Sequence, residues 1–356
     1  MYVAWRDLRF AKGRFALMGT VVVLITVLVG LLSGLTAGLG RENTSAITGL
    51  PADRLAFSAP LDGKGVSFSD SAVDERTWQR WAEVPGVDSA APLGIATVRA
   101  RAAGGRTAAL SAFGVLPGSR LAPEGDRLAA GAAVLSRGAA EELGAAAGSA
   151  VQLGGLRFRV AAVAGDASYS HTPVAWTGLA DWQRLSGSPG ATVVALTTRP
   201  GTALATADRE LGTRTVSRAD ALSAIGSYTS ENGSLQLMRG FLFAISALVI
   251  GAFFTVWTIQ RSGDVAVLKA LGASTGYLLR DALGQAVVLL LLGTGAGSAL
   301  AAGVGALVGG LVPFVLDPAT VLVPGAVMVA LGAVGAALAV RRITSVDPLT
   351  ALGSAR

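Results

Sequence analysis

Four long apolar segments set the pattern of this chain. None of them contains Asp, Glu, Lys or Arg, and they occupy residues 15–40, 240–260, 282–316 and 318–340. A helix needs about 20 apolar residues to cross a bilayer, so each segment predicts a transmembrane helix. The third segment is longer than one crossing needs. It is either a helix over 282–312 with a following loop, or a helix followed by a tail that re-enters the membrane. We place the fourth helix at 319–340.

The first apolar segment has a basic start, which is also how a signal peptide begins. Four basic residues precede it, namely Arg6, Arg9, Lys12 and Arg14. However, the segment is much longer than the roughly 7–15 residues of a signal-peptide core, and the small residues near Ala37 form a poor cleavage site. We therefore expect an uncleaved helix over 15–40, preceded by an amphipathic cytoplasmic segment over 1–14.

Basic residues indicate which side of the membrane each remaining segment faces. Residues 1–14, 261–281 and 341–356 together contain ten basic and four acidic residues. Cytoplasmic segments near membrane helices carry the excess of Lys and Arg, so these three are expected inside and residues 41–239 outside. The three segments account for the whole formal charge of +6. The pI near 10.3 therefore reflects membrane topology and does not indicate a nucleic-acid partner.

The outer region, residues 41–217, has the pattern of a mixed α and β domain. Short alternating runs predict strands at Val66–Phe68, Ala96–Arg101, Ala108–Val115, Val151–Leu153, Leu156–Ala162 and Thr192–Thr197. Helices are predicted at Asp74–Ala82 and at Ser136–Leu143, where Ser136 is a suitable N-cap. The pair Gly154-Gly155 predicts a hairpin turn between two of the strands.

A further helix is predicted to lead from the outer region into the membrane. Ser217 or Asp220 could cap it, and it would continue through Tyr228 as a stalk and second transmembrane helix over 218–260. The expected fold is an integral membrane α-helical protein with four transmembrane helices. An extracytoplasmic α+β domain is inserted between helices 1 and 2.

Glycines recur at intervals of four in two of the apolar segments. Gly30, Gly34 and Gly38 lie in the first segment, and pairs with the same spacing lie in the third. Residues four apart stack on one helix face, and small residues let two helix backbones approach closely in lipid. We predict a packing role for Gly30, Gly34 and Gly38, with contact in a homodimer as one option. The alternative is a general richness in glycine, of which the chain has 47.

The chain lacks the residues for most kinds of active site. It contains no Cys and one His, which excludes thiolate and multi-histidine metal centres. No G-x-x-x-x-G-K-[ST] pattern occurs, so ATP binding by a P-loop is not expected. The apolar segments carry no ionisable residue for a proton relay. We therefore expect a non-catalytic protein with no metal site.

The segment between the second and third apolar segments carries the most specific pattern in the chain. It reads Asp-Val-Ala-Val-Leu-Lys-Ala-Leu-Gly over residues 264–272, with apolar residues on one helix face and a glycine at the end. This pattern closely resembles the cytoplasmic coupling helix of MacB/FtsX-type ABC transporter permeases. By that resemblance, residues 261–281 couple to a separate ATPase through Asp264, Leu268, Lys269, Leu271 and Gly272.

Other parts of the chain are similar to the same family. Residues 4–9 resemble its N-terminal elbow helix, residues 133–153 its extracytoplasmic core, and residues 347–352 its C-terminal tail. The resemblance implies a homodimer in the bacterial cell membrane, in contact with lipid, with both termini cytoplasmic. It also implies two copies of an ABC ATPase that binds ATP and magnesium. Its mechanism would be mechanotransmission, in which ATPase dimerisation moves the stalk and the outer domain.

The beginning of the chain, Arg-Asp-Leu-Arg-Phe-Ala-Lys over residues 6–12, is similar to that of haem-exporting members of this family. The resemblance implies haem as a substrate and a role for outer-domain tyrosines, for which Tyr169 and Tyr228 are the candidates. His171 lies beside Tyr169 in the same loop. Export of a lipid, a lipoprotein or an antimicrobial peptide stays open as an alternative, as does FtsX-like signalling across the membrane.

Four residues near the second apolar segment share a predicted helix face. Tyr228, Glu231, Met238 and Arg239 fall at relative angles of about 0°, 300°, 280° and 20°. Oxygen and sulfur donors can bind a haem iron, and Arg can pair with a propionate. Simpler explanations are an aromatic anchor at the membrane interface and a snorkelling Arg239. These angles assume one continuous helix, so the four residues would not share a face if the helix ended at Gly233.

Overall fold

The computed structural model describes residues 12–61, 63–260, 263, 267–269, 271–309 and 312–344. Contacts within the chain divide it into two units. The membrane unit comprises the described residues of Met1–Gly38 and Ser234–Arg356, and the outer unit is Leu39–Gly233. The predicted elbow helix and C-terminal tail lie outside the described residues.

Helices occur in both units. In chain order they are α1 Lys12–Thr48, α2 Glu75–Glu83, α3 Arg137–Leu143, α4 Leu179–Ser186, α5 Leu204–Leu211, α6 Tyr228–Gln260, α7 Thr275–Val308 and α8 Pro318–Thr344. Short 3₁₀ turns lie at Gly125–Arg127 and Asp220–Ala224.

The strands belong to the outer unit. In chain order they are β1 Arg54–Ser58, β2 Val87–Ala102, β3 Thr107–Val115, β4 Ala132–Leu135, β5 Ala150–Leu153, β6 Leu156–Val163, β7 Ser168–Tyr169, β8 Thr172–Gly178, β9 Val193–Thr198 and β10 Thr213–Ser217.

Helices α1, α6, α7 and α8 are each long and apolar enough to cross a membrane. The four predicted transmembrane helices are thus confirmed, although their ends differ from the prediction. Helix α1 continues to Thr48 because helical hydrogen bonding does not stop where the apolar residues stop. Helix α7 begins at Thr275, where the Ser274 side chain accepts a hydrogen bond from the Tyr277 amide and caps it.

The glycine ridge of α1 is a line of close contacts inside the membrane unit. A Cβ atom on Gly34 would lie 2.3 Å from the Phe314 ring, and one on Gly38 would lie 1.7 Å from the Pro313 carbonyl oxygen. A Cβ on Gly30 would lie 2.8 Å from the Ala301 Cβ. These distances are too short for any side chain, so glycine permits the approach of α7 and of the segment that follows it.

The segment 312–317, between α7 and α8, is non-helical and attaches to α1. The Val315 amide donates a hydrogen bond of 3.1 Å to the Gly34 carbonyl oxygen. Gly305 of α7 also faces the Phe314 ring, 2.2 Å from where its Cβ would be. The aromatic ring thus fills a space that glycines on two helices leave open.

The outer unit is built on one sheet of ten strands. Its order is β10-β1-β9-β2-β3-β8-β4-β6-β5, and β7 pairs with β8. The last strand, β5, also pairs with the end of β2, where Arg101 lies opposite Gln152. Strand β2 can take two partners on one edge because it is 16 residues long. The strands β2, β3, β8, β4, β6 and β5 therefore form a closed ring.

Two apolar clusters fill the outer unit. One contains Trp78, Trp81 and Trp182, and the other contains Phe57 and Phe113. The second cluster also includes Ile47, so the last turns of α1 pack on the outer domain. The exclusion of water from these large side chains is the main source of stability of this unit.

Most sequence predictions for the outer domain are confirmed. Helices α2 and α3 carry Asp74 and Ser136 as N-caps, and Gly154 and Gly155 form the predicted turn with φ of 54° and 90°. Five of the six predicted strands are present, and their ends differ from the prediction by at most one residue, except that β2 begins nine residues earlier. The strand at Val66–Phe68 is wrong, because this segment is irregular and Phe68 instead packs on Phe57.

The helix predicted to begin at Ser217 or Asp220 is also wrong. Those residues hydrogen-bond to each other before the 3₁₀ turn, and the chain becomes extended at Ile225, with φ −77° and ψ 120°. A new helix, α6, then begins at Tyr228. Gly233 does not interrupt it.

The glycine ridge gives a testable expectation for stability. Alanine is normally the better helix former by about 1 kcal/mol. In Gly38→Ala this gain should be reversed, because overpacking against the Pro313 carbonyl costs about 1–3 kcal/mol. The thermal midpoint of the purified full chain in detergent, followed by tryptophan fluorescence, should fall. Gly295→Ala, in α7 with open space around it, is the control and should not lower the midpoint. Equal midpoints for the two variants would contradict this packing role.

Candidate functional site

The hairpin formed by β7 and β8 attaches to the end of α1. Its tip residues, Ser170 and His171, have positive φ angles of 49° and 61°, as in the tight turns of two-residue hairpins. The Ser170 amide donates to the Asn43 carbonyl oxygen at 3.0 Å, and the His171 amide donates to the Glu42 carbonyl oxygen at 3.3 Å. Both carbonyls belong to α1, so the hairpin tip is hydrogen-bonded to the backbone of that helix.

The carboxylate of Glu231, in the first turn of α6, is the centre of a polar cluster. Its Oε2 accepts a hydrogen bond of 2.8 Å from the Asn43 side-chain amide and lies 2.8 Å from His171 Nε2. On the other side of the imidazole, Nδ1 lies 3.8 Å from the Glu42 carboxylate. We call Glu42, Asn43, His171 and Glu231 the stalk cluster, because it joins α1, the hairpin tip and α6.

The surroundings of the stalk cluster are acidic. Burial and the nearby Glu42 carboxylate raise the pKa of Glu142, at the end of α3, above its usual value. Three carboxylates and one imidazole therefore lie in this part of the outer unit. No group of three or more His, Cys, Asp or Glu suited to a metal ion occurs in the part of the chain that the structure describes. The stalk cluster can hold two helix ends together and can offer oxygen and nitrogen donors.

The two residues predicted from the hairpin do not share a site. The Tyr169 side chain points into the outer-domain core, where its ring lies 5.7 Å from that of Phe68 and 5.8 Å from that of Phe113. Burial raises the pKa of its phenol, which disfavours the phenolate. The His171 side chain instead belongs to the stalk cluster. Tyr169 ends strand β7, whereas His171 lies in the positive-φ turn, so the two side chains point in different directions.

The residues predicted on α6 have different surroundings. Tyr228 is half-buried and packs against the apolar cluster of the outer domain. Further along the helix, in the membrane unit, Met238 is 52% exposed. The Arg239 guanidinium carbon lies 5.8 Å from the centre of the Phe243 ring, a cation–π contact.

Sequence reasoning did not identify Glu42 and Asn43 as members of the cluster. Asn43 is 3% exposed and lies 188 positions before its hydrogen-bond partner Glu231. No local pattern connects residues so far apart in the chain. The available signal was their position just after the first apolar segment, since a polar residue there faces the start of the outer domain.

The predicted coupling segment is described in part. Asp264 lies outside the described residues. The Ala273 amide donates to the Leu268 carbonyl and the Gly272 amide to the Lys269 carbonyl, both at 3.0 Å, and Gly272 has φ of +92°. This is the Schellman arrangement that ends a helix at glycine. Leu271 is 79% exposed, so the turn presents an apolar side chain outward.

Comparison with known families agrees with this architecture. A family model described as the MacB-like periplasmic core domain matches residues 15–214, and one described as the FtsX-like permease C-terminal matches residues 237–348. The first match alone covers more than half of the chain. The protein therefore belongs to the MacB/FtsX-type ABC transporter permeases, and it is a multi-pass membrane protein with an extracytoplasmic domain.

Individual relatives match over the full length. The chain is 24% identical to the putative hemin transport system permease protein HrtB of Staphylococcus haemolyticus and 22% identical to that of Staphylococcus epidermidis. It is 25% identical to an uncharacterized ABC transporter permease of Mycobacterium tuberculosis. Each match covers 99% of both chains.

Among solved structures, the chain is similar to the extracellular domain of the noncanonic ABC-type transporter YknZ from Gram-positive bacteria. That match has a TM-score of 0.36 and 16% identity, and it covers 47% of this chain and 98% of the other. A second is the periplasmic region of MacB from Actinobacillus actinomycetemcomitans, with a TM-score of 0.36 and 12% identity, covering 49% of this chain and 92% of the other.

The stalk cluster gives a second testable expectation. In Asn43→Ala the Glu231 carboxylate loses a buried amide donor, which should destabilise the folded protein by about 1 kcal/mol. Thermal unfolding of the full chain in detergent measures this loss. The control is Gln79→Ala, which removes an exposed side-chain hydrogen bond of 3.1 Å to Glu75 within α2. It should have less than half the effect, and a larger loss in the control would refute the role of the cluster.

Proposed function

We propose that this permease exports haem from the membrane and thereby protects the cell from haem toxicity. The observation that carries this proposal is the similarity to two hemin permeases over 99% of each chain. Similarity that extends over the outer domain, the stalk and all four membrane helices includes every region in which a substrate could be recognised. Haem is here the substrate and not a resident cofactor.

The haem site in this proposal lies at the start of α6. Glu231 and His171 offer an oxygen and a nitrogen atom that can bind iron. These two atoms are 2.8 Å apart, so a bond from either of them to the haem iron would replace the hydrogen bond between them. Tyr228 is a further candidate ligand on the same helix. Met238 and Arg239, the other candidate ligand and the candidate partner for a propionate, belong to the membrane unit. Tyr169 is the weaker candidate, since the core buries its ring.

The proposed mechanism is mechanotransmission by a homodimer that binds two ABC ATPase subunits. Those subunits would bind ATP and magnesium, and the permease would contribute no catalytic residue. The exposed Leu271, beside the glycine that ends the coupling helix, supports docking on a partner surface. Helices α1 and α6 each contribute residues to both units, so a movement passed to either helix would reach the outer domain. Both termini and the coupling segment would face the cytoplasm.

Titration with hemin tests the substrate. The purified full chain in detergent should shift the Soret band of hemin in a saturable manner. Glu231→Ala should weaken the binding about tenfold, because it removes the carboxylate that would bind the iron. A tenfold loss corresponds to about 1.4 kcal/mol of binding free energy. Asp88→Asn, which alters an exposed ion pair with Arg199 near the start of β2, is the control and should bind hemin normally. A Soret band unchanged by the protein would end the haem assignment.

The coupling turn can be tested with two glycines that differ in conformation alone. Gly272 and Gly276 both have open space around the position of a Cβ, but only Gly272 has positive φ. Gly272→Ala should strain the turn by about 1–2 kcal/mol and reduce hemin-stimulated ATP hydrolysis of the assembled transporter several-fold. Gly276→Ala should leave it unchanged, because Gly276 is in a helix. Equal rates for both variants would show that the turn does not couple to the ATPase.

A further inference from the structure

The closed ring of strands carries a row of outward-facing arginines. Arg99 and Arg101 on β2 and Arg157 and Arg159 on β6 are all exposed. The residues between them along each strand, such as Ala100 and Phe158, are buried. Alternation along the strands therefore directs the four guanidinium groups to the outer surface of the ring.

The strand register arranges the four arginines in an oblique line. Arg101 lies opposite Gln152 of β5, and Gln152 lies opposite Arg157 of β6. Arg99 and Arg159 extend the line in opposite directions, because Arg99 is level with the Gly154 end of β5 and Arg159 with Ala150 at its other end. With about 4.8 Å between strands and about 3.4 Å per residue, the row spans roughly 17 Å between Cα atoms.

Among the residues that the structure describes, no acidic side chain forms an ion pair with this arginine row. The sequence contains no Asp or Glu at all over residues 89–123 and 143–165. The arginines that do pair with a carboxylate lie elsewhere and include Arg54, Arg127, Arg137, Arg184 and Arg199. Four positive charges placed together without compensation repel one another and reduce stability. This loss of stability suggests that the four arginines are kept for binding an anionic partner.

Two common reasons for surface arginines do not apply here. Charged residues often protect the exposed edge of a sheet, but β2, β5 and β6 each have partners on both sides. Docking of a folded protein usually needs an apolar centre within the contact. The exposed neighbours of the row are Thr97, Ala109, Ala150 and Gln152, which are small or polar.

We propose that the arginine row binds a linear polyanion with phosphodiester groups, such as an anionic polymer outside the membrane. A guanidinium group binds a phosphate with two parallel hydrogen bonds, and a line of four such groups is complementary to a chain of repeated phosphates. The Gln152 amide in the middle of the row adds a neutral donor. This binding site is independent of the haem site and of the proposed substrate.

The experiment uses the full chain in nanodiscs of phosphatidylcholine, which adds no net lipid charge. The probe is fluorescently labelled poly(glycerol phosphate), and binding is followed by anisotropy at several salt concentrations. If four phosphates are contacted, the slope of log K against log salt should be about −3, by comparison with single-stranded nucleic acids. The variant Arg101→Gln/Arg157→Gln should reduce affinity at least tenfold and lower the magnitude of the slope by about half.

The matched control is Arg80→Gln/Arg214→Gln, which removes two exposed arginines on α2 and β10 and so changes the net charge equally. It should bind the probe within about twofold of the unaltered chain, because local contacts and not net charge hold the polymer. An equal loss of affinity in the control would overturn the proposal. Tighter binding of polyglutamate than of poly(glycerol phosphate) would also overturn it and would indicate an acidic polypeptide.

Discussion

The absence of water in the membrane is the constraint from which the rest of this structure follows. Backbone amides and carbonyls cannot be left unpaired in lipid, so the part of each apolar segment that crosses the membrane must be helical. Lipid also removes the hydrophobic force between helices, and their association then depends on close packing. Glycines on α1 and α7 meet this need, because Gly34 and Gly305 leave a space that the Phe314 ring fills.

Helices α1 and α6 are attached to the outer domain by different means. Apolar packing holds the end of α1, where Ile47 is fully buried in the domain core. Hydrogen bonds hold the start of α6, where Glu231 is bound by Asn43 and His171. Polar contacts with an exposed carboxylate are easily exchanged for another ligand, whereas buried apolar contacts are not. The contacts of the stalk cluster are therefore the more easily exchanged of the two sets.

Local patterns were good predictors wherever one element decides the outcome. The N-caps Asp74 and Ser136, the turn at Gly154-Gly155 and the helix end at Gly272 depend on a few neighbouring residues. The failures occurred where distant contacts decide. Residues Val66–Phe68 alternate like a strand, but the Phe68 ring packs into the core and its amide donates to the Ala224 carbonyl of the 3₁₀ turn.

The sequence by itself determined the four membrane helices, the outer domain inserted after the first of them and the family, because apolar length and the coupling pattern are properties of short segments. Only the tertiary structure showed that Tyr169 belongs to a core and that His171 contacts Glu231. It alone aligned Arg101 with Arg157, through the register of β2, β5 and β6. The reason is physical: strand register and contacts between remote residues follow from packing of the whole domain, which no local pattern encodes.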